Sequence, residues 1–598
     1  MKKFPHKLKR NKRNTIPHHI IFYDTESRQH KEGSLVRHTL RLGWACYVSV
    51  KSLGSSIETN EEWLSFKDKK DFWKWVERHL IKKRKLYLVA HNQHFDFTIL
   101  DGINELKRMG FTLQRWTVDS NVFLMIFTKK NHMIVILDSL NIFKTSIQKL
   151  GEMLGLPKLK VNLEHVSDKK LSTYCKRDTE ILKEAFLKWL KFIKLHDLGN
   201  FKYTLPSQAF TAFKHRFMDY DIFIHARKRA TKLERDSYRG GRTECFYIGH
   251  VPEKIYYLDV NSLYPYVMKN YEYPIKLIKH GYKLSPKGLK RFLSQFCVIA
   301  RVKIDTPENV FGYKSERLIF PIGTFDITLC TQELKYALDH GYLKEIYEYA
   351  VYEKAPIFVS YVEFFSSLKE QYSMEGNTVM RSLAKLMLNS LYGKFGQRNE
   401  VWKPIGESVC EMPTISKYIN VETGETGILY EFGGKQYLKT RGEEEAVDSF
   451  VAIASEVTAN ARMYLWKLMK KAGLSNLYYC DTDSLFVNEK GYKNLKSEIH
   501  DYKLGKLKLE GVSDGVQINN VKDYVFNGKV KLKGVKKNSV KISENQYKTQ
   551  RFYKFRTLIR KGILDTPISE EYIKTIKREY KKGIVTPSGR VLPFQFPL

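Results

Sequence analysis

Apolar runs along this chain are short, and several of them end in acids. His19-Ile20-Ile21-Phe22-Tyr23 is a β-prone stretch closed by Asp24-Thr25-Glu26. Alternate strand residues point the same way, so Asp24 and Glu26 share a face. Residues 86–90 predict a second strand, followed by His91-Asn92-Gln93-His94-Phe95-Asp96, and residues 133–137 form a third apolar run. From Ser172 the pattern turns helical, with Tyr174 and Asp178 one turn apart on one face. Residues 255–258 lead into Asp259-Val260-Asn261-Ser262-Leu263-Tyr264-Pro265, a strand ending in an acid and a turn closed by proline. Residues 477–480 and 485–487 flank Asp481-Thr482-Asp483-Ser484, which predicts a hairpin with buried strands and a charged tip. Between these acid sites, Arg381, Lys385, Asn389 and Tyr392 fall along one helical stripe, with Leu383, Leu386 and Met387 on the other side.

Composition narrows the class. At roughly 150 residues per domain, 598 residues make about four structural units. A hydrophobic share of 43% with 13% aromatics excludes a disordered or collagen-like chain. No apolar run approaches the ~20 residues a bilayer crossing needs, so no membrane span is expected. The seven cysteines never lie closer than 33 positions, which excludes CxxC zinc patterns and predicts reduced thiols. The 102 Lys and Arg against 65 Asp and Glu give a net charge of +37. Residues 1–14 hold seven basic residues and no acid, residues 521–598 hold 19 basic residues against six acids, and the remaining surplus is spread along the body. Such a surplus asks for a polyanion, nucleic acid above all. The basic start could act as a transit peptide, but it is Lys-heavy, lacks Ser and runs almost directly into the first acid-tipped strand, so its removal is not expected.

Each acid alone is an ordinary cap or surface charge. Three separated acidic sites at element ends, however, suit a pair of hard cations that activate water and steady the leaving oxygen of a phosphodiester. DxE, NxxFD and YxxxD in this order resemble the three motifs of proofreading 3′–5′ exonucleases. The resemblance implies that Asp24, Glu26, Asp96 and Asp178 bind two divalent ions and that Tyr174 orients the attacking water. Lys160 is implied as an auxiliary lysine, and Ser27, Asn92, Phe95, Ser139 and Leu140 as contacts to a frayed single strand.

The second acid set carries a further resemblance. DxxSLYP, KxxxNSxYG and YxDTDS resemble motifs A, B and C of family B DNA polymerases. By that resemblance Asp259 and Asp483 each bind both Mg²⁺ (or Mn²⁺) ions, the Val260 carbonyl completes one shell, and Asp481 stands close by. Arg381 and Lys385 then neutralise a triphosphate, Asn389 and Tyr392 frame the nucleotide, and Tyr264 excludes a 2′-hydroxyl. Tyr238-Arg239-Gly240-Gly241 resembles the YxGG link, Lys522-Asp523-Tyr524 the KxY motif, and Lys533 a primer-facing lysine. Tyr238, Gly240, Gly241, Ser262, Gly393, Thr482, Lys522, Tyr524 and Lys533 are the implied DNA contacts.

The compact length and the LNSLYGKF and YCDTDS wording resemble the protein-primed branch of the family, which carries two insertions. The implied fold is an α/β and α+β multidomain chain, an RNase H-like exonuclease domain followed by a right-hand polymerase. Its expected parts are the exonuclease domain at 1–198, palm at 199–270 and 447–534, and fingers at 361–396. The insertions are expected at 271–360 and 397–446, the latter with hairpin punctuation at Glu422-Thr423-Gly424-Glu425 and Gly433-Gly434, and the thumb at 535–598. The implied first insertion contacts a terminal protein and DNA; the second confers strand displacement and processivity. The implied partners are primer-template DNA, single-stranded DNA, dNTPs and a terminal protein serving as primer, with the enzyme a monomer in a host cytoplasm or an organelle. Ser27 replaces a Thr of the pattern, Ile99 an aromatic strand contact, and Ser373 a triphosphate-binding lysine. Two rivals stand beside this reading: a family B polymerase that starts de novo, and a silent DNA-binding scaffold. Seven clustered carboxylates argue against silence, because a dead site has no reason to keep them.

Overall fold

The computed structural model describes residues 3–54, 56–119, 122–162, 165–410 and 412–596. Strand His19–Glu32 pairs in parallel with Lys85–Ala90, which pairs in parallel with His132–Asp138. Both faces of this sheet are covered. Phe22, Val89 and Leu137 pack under Phe186 and Trp189 of helix Asp168–Leu195, while Tyr23, Leu88 and Ile136 belong to a second core with Phe72 and Phe97. Burial on both faces is why the strands read as continuous apolar runs rather than alternating ones.

The expected palm holds a five-stranded antiparallel sheet in the order Thr243–Cys245, Leu477–Asp481, Ser484–Asn488, Ile255–Val260, Leu507–Ser513. The expected fingers are the helices Val359–Met374 and Thr378–Asn389, joined through Gly376 at φ +67°. Residues 397–446 form a four-stranded antiparallel sheet, fuller than the expected hairpin.

Two arrangements join distant parts of the chain. The sheet of residues 273–355 is bracketed by both chain ends: His6–Lys7 pairs with Phe223–Ile224 at one edge, and Gln595–Phe596 pairs with Ile322–Gly323 at the other. The basic start is thus packed into the fold, with Leu8 1% exposed. The expected thumb, 535–598, does not stand apart. Its strands Gln546–Phe552 and Ile568–Thr575 extend the sheet that carries Asp24 and Glu26 through the pairs Leu35↔Glu570 and Arg37↔Ile568. A short ribbon of strands is marginal alone and gains stability by docking on a sheet edge. Among the described residues no helix is long and apolar enough to cross a membrane.

Candidate active sites

The strand carrying Asp24 and Glu26 bulges after Glu26. Oxygens of both acids lie within 4.8 Å of one another and of Cys175 Sγ. Cys175 is a bystander: its thiol donates to Asp24, burial pushes its pKa well up, and hard cations prefer oxygen. Asp96, on helix Gln93–Ile99, accepts from both the backbone N–H and the hydroxyl of Thr25, which ties it to the same strand. Asp178 and Tyr174 project from helix Asp168–Leu195.

These carboxyls crowd one another. Burial and then Asp96, Asp178 and Glu26 hold the Asp24 carboxyl well above its usual range. Burial and Asp178 push Glu26 up to about 7, and burial raises Asp96 to about 8 against the Thr25 hydrogen bonds. One oxygen of Asp178 is buried without a hydrogen-bond partner. Crowded, desolvated carboxylates with an orphaned oxygen are the surroundings that divalent cations relieve.

The lysine at this cluster is Lys158, not Lys160. Its ammonium pairs with Asp178 and sits 4.4 Å from the Tyr174 ring centre, whereas Lys160 is exposed. Residues 156–162 form no regular element, so no period tells the two lysines apart. Ser139 also departs from expectation: fully buried, its hydroxyl is bonded to His91 Nδ1 at 2.7 Å, which leaves Leu140 the accessible member of that pair. Ile99 is buried as well. Asn92 is exposed in a left-handed turn (φ 96°), and the neighbouring backbone N–H groups of Asn92, Gln93 and Leu140 donate to Asp138, a buried acid that sequence reasoning missed. Phe95 is half-buried against His38 and Phe552.

In the palm, Asp259 lies opposite Ser484, and the Val260 N–H donates to the Asp483 carbonyl at 2.7 Å. Thr482 turns the hairpin at φ 65°, its N–H held by the Arg242 carbonyl at 2.6 Å. Burial and Asp483 raise Asp259 to about 7, and burial and Asp481 raise Asp483 to about 6; Lys385 opposes both shifts, so the helical stripe faces the acids. Asp481 pairs with Lys522 at 3.2 Å. Lys533 donates its N–H to the Lys522 carbonyl, bringing the two lysines side by side, and Tyr524 packs on Tyr479 and Phe486. Ser262, at φ 54°, starts the helix that carries Tyr264, whose ring stacks on Tyr392. Gly241 is required where it stands, since a Cβ would come 2.7 Å from Thr482 and 3.1 Å from the Tyr264 hydroxyl. Gly240 and Gly393 face open space, and Tyr238 lies half-buried against Gly396. Asn389 donates to the Lys385 carbonyl and is exposed beside Arg381 and Lys385.

Two further residues escaped sequence reasoning. Arg462, 3% exposed, donates to the carbonyls of Arg239 and Gly240 and to Glu333, and so anchors the Tyr238–Gly241 loop. Lys369 stands one helical turn before Ser373; burial and then Lys385 and Arg381 lower its pKa, so three cations meet across the two finger helices.

Residues 158–470, just over half of the chain, match the family DNA polymerase type B, organellar and viral. The chain belongs to that family. It is similar to a probable DNA polymerase of Neurospora intermedia, 27% identical over 365 residues that make 58% of this chain and 36% of that protein. It is also similar to a DNA polymerase of Bacillus phage PZA, 25% identical over 551 residues, 83% of this chain and 87% of that one. The matched regions span about a third of the Neurospora, Ascobolus immersus and Podospora anserina proteins. In fold it is similar to Phi29 DNA polymerase complexed with primer-template DNA, with a TM-score of 0.67 at 18% identity, covering 94% of this chain and 100% of that one. The fold class is the expected one, an exonuclease domain followed by a right-hand polymerase.

Proposed function

We propose that this chain is a DNA-dependent DNA polymerase with a proofreading 3′–5′ exonuclease. The observation that carries this reading is the presence of two separate sets of mutually repelling carboxylates in one family B chain. Two divalent ions in each site, Mg²⁺ or Mn²⁺, would lower the pKa of the attacking hydroxyl or water and neutralise the leaving oxygen. Asp259 and Asp483, with the Val260 carbonyl and Asp481 beside them, would hold one pair; Asp24, Glu26, Asp96 and Asp178 would hold the other.

The chain's own residues do the rest. Lys385, Arg381 and Lys369 draw the triphosphate to the fingers, and Lys369 makes up for the missing lysine at Ser373. Tyr264 presses on the sugar, while Asn389 and Tyr392 bound the base. Gly240, Gly241, Ser262, Gly393, Thr482, Lys522, Tyr524 and Lys533 line the primer-template path. In the exonuclease site Tyr174 orients water, Lys158 steadies Asp178, and Ser27, Asn92, Phe95 and Leu140 grip the strand end.

Because each acid set builds its own site, the activities separate by mutation. Asp24→Ala with Glu26→Ala should abolish single-strand degradation and leave primer extension near normal. Asp483→Asn should do the reverse, losing on the order of 10²-fold or more in extension. A folded variant that loses both activities would overturn the assignment.

Synthesis is further proposed to start from a terminal protein, on a phage or linear plasmid replicon, in a host cytoplasm or an organelle. The resemblance of the motifs and the two-insertion architecture support this start. Template without primer, with and without a candidate terminal protein, tests it: product only with the protein supports priming, and product without it supports a de novo start.

A further inference from the structure

Resting on the exonuclease reading, we propose that the C-terminal strands fix Ser27 as a hydrogen-bond donor to the incoming strand end, through His38 as a positioning residue. The Ser569 hydroxyl is fully buried and accepts from Gln550 Nε2 at 2.9 Å. It also lies 3.0 Å from His38 Nε2. A buried hydroxyl that fails to place its own proton is costly, and Nε2 is the acceptor beside it, so Ser569 donates and Nε2 accepts. A neutral imidazole that accepts at Nε2 carries its proton on Nδ1. Burial, and then His30, lower the His38 pKa, in keeping with a neutral ring. Nδ1–H therefore donates to Ser27 Oγ, 3.0 Å away.

Ser27 has spent one acceptor site and keeps its own proton. It is half-buried, directly after Glu26 at the strand bulge, so that proton points to where a strand end offers phosphate and 3′ oxygens as acceptors. The frame around the relay is firm. Val36 pairs with Ser569, and the His38 N–H donates to the Pro567 carbonyl. The same strand pair brings Phe552, 46% exposed, within 5.2 Å of the His38 ring and 5.8 Å of Phe95. The strand-end site is thus completed by residues more than 500 positions from Ser27 and His38 in sequence.

The test measures KM and kcat for degradation of a labelled single-stranded oligonucleotide, with primer extension on the same preparations as a check of fold. Ser569→Ala should raise KM about fivefold or more with kcat and extension unchanged, and Gln550→Ala, a milder change, should move KM the same way. Ser27→Thr, which keeps a hydroxyl, should hold the wild-type KM. Ser27→Ala should raise KM, and adding Ser569→Ala to it should change nothing further. An unchanged KM in both Ser569→Ala and Gln550→Ala, or independent effects in the double variant, would overturn the relay. A wild-type chain that degrades no single strand would end the exonuclease reading and the relay with it.

Discussion

The ring of Tyr264 lies nearly parallel to that of Tyr392, their centres 4.8 Å apart and their planes 15° apart. One residue comes from the helix after Asp259 and the other from the turn after helix Thr378–Asn389, so the stack joins those two elements. Gly241 closes the floor under the Tyr264 hydroxyl. Such a ring cannot retreat from a bulkier sugar without losing a contact worth about 1 kcal/mol. Tyr264→Val should therefore admit ribonucleotides, with discrimination against them falling on the order of 10²-fold. Competing a ribonucleotide against its deoxy counterpart measures this, and unchanged discrimination would place the guard elsewhere.

Lys158 and Lys160 offer a sharper comparison. Lys158 holds Asp178 and covers the Tyr174 ring, while Lys160 is exposed. Lys158→Ala should slow single-strand degradation by roughly 10- to 10²-fold, in line with the loss of a group that positions an acid and a water. Lys160→Ala should stay within about twofold of wild type, the usual result of a surface change. Equal losses in both variants would mean that Lys158 acts only through general positive charge.

That pair also marks where the sequence stops being informative. Asp24, Glu26, Asp259, Asp481 and Asp483 were legible because each stands at or close beside an apolar run, and for Asp24 and Glu26 strand period fixes a shared face. Lys158 was not, because it sits in an irregular segment where spacing carries no direction. Ser139 misled for a related reason: the same letters serve a surface contact or a buried bond to His91, and only packing decides. Lys369 shares a helix face with Ser373 one turn on, so a one-turn displacement of charge was there to be seen. The docking of Ile568–Thr575 on Leu35–Leu53 depends on an edge-to-edge fit far along the chain, which no local pattern encodes.

Glu456 gives a pH dependence away from both acid sets. It is buried in helix Val451–Ala472, accepts from the N–H and hydroxyl of Thr331, and burial raises its pKa to about 7 from the ordinary 4.5. A group whose folded pKa lies above its unfolded value stabilises the fold fully below the unfolded value. That stability is lost as pH rises from 4.5 through about 7. The loss is on the order of 3 kcal/mol when complete. Glu456→Gln keeps an acceptor for Thr331 and carries no charge. Its melting temperature should therefore rise relative to wild type between pH 5 and pH 8, and parallel curves for the two proteins would contradict the burial argument.

The insertion at residues 397–446 should govern strand displacement and processivity rather than chemistry. Its sheet reaches away from the palm to two other parts of the molecule. Tyr430 and Phe432 pack on Trp116 of the exonuclease domain, and Arg556, on the C-terminal helix Phe555–Arg560, lies 5.5 Å from the Tyr430 ring centre. Phe555 and Ile559 of that helix share one buried cluster with Trp116, Ile415, Tyr430 and Phe432. The insertion, the C-terminal helix and the strand of Trp116 thus meet in one buried cluster, which braces the far end of the insertion as an encircling arm would require. Encirclement resists dissociation by topology, whereas a grip made of Lys and Arg weakens steeply as salt displaces it. Replacing 397–446 with a short Gly/Ser linker should abolish long products on a singly primed circle while short gap filling survives. What synthesis remains should fall off faster with added salt than that of wild type, because charge alone then holds the duplex. Undiminished rolling-circle synthesis by the shortened chain, at any salt concentration, would rule the ring out.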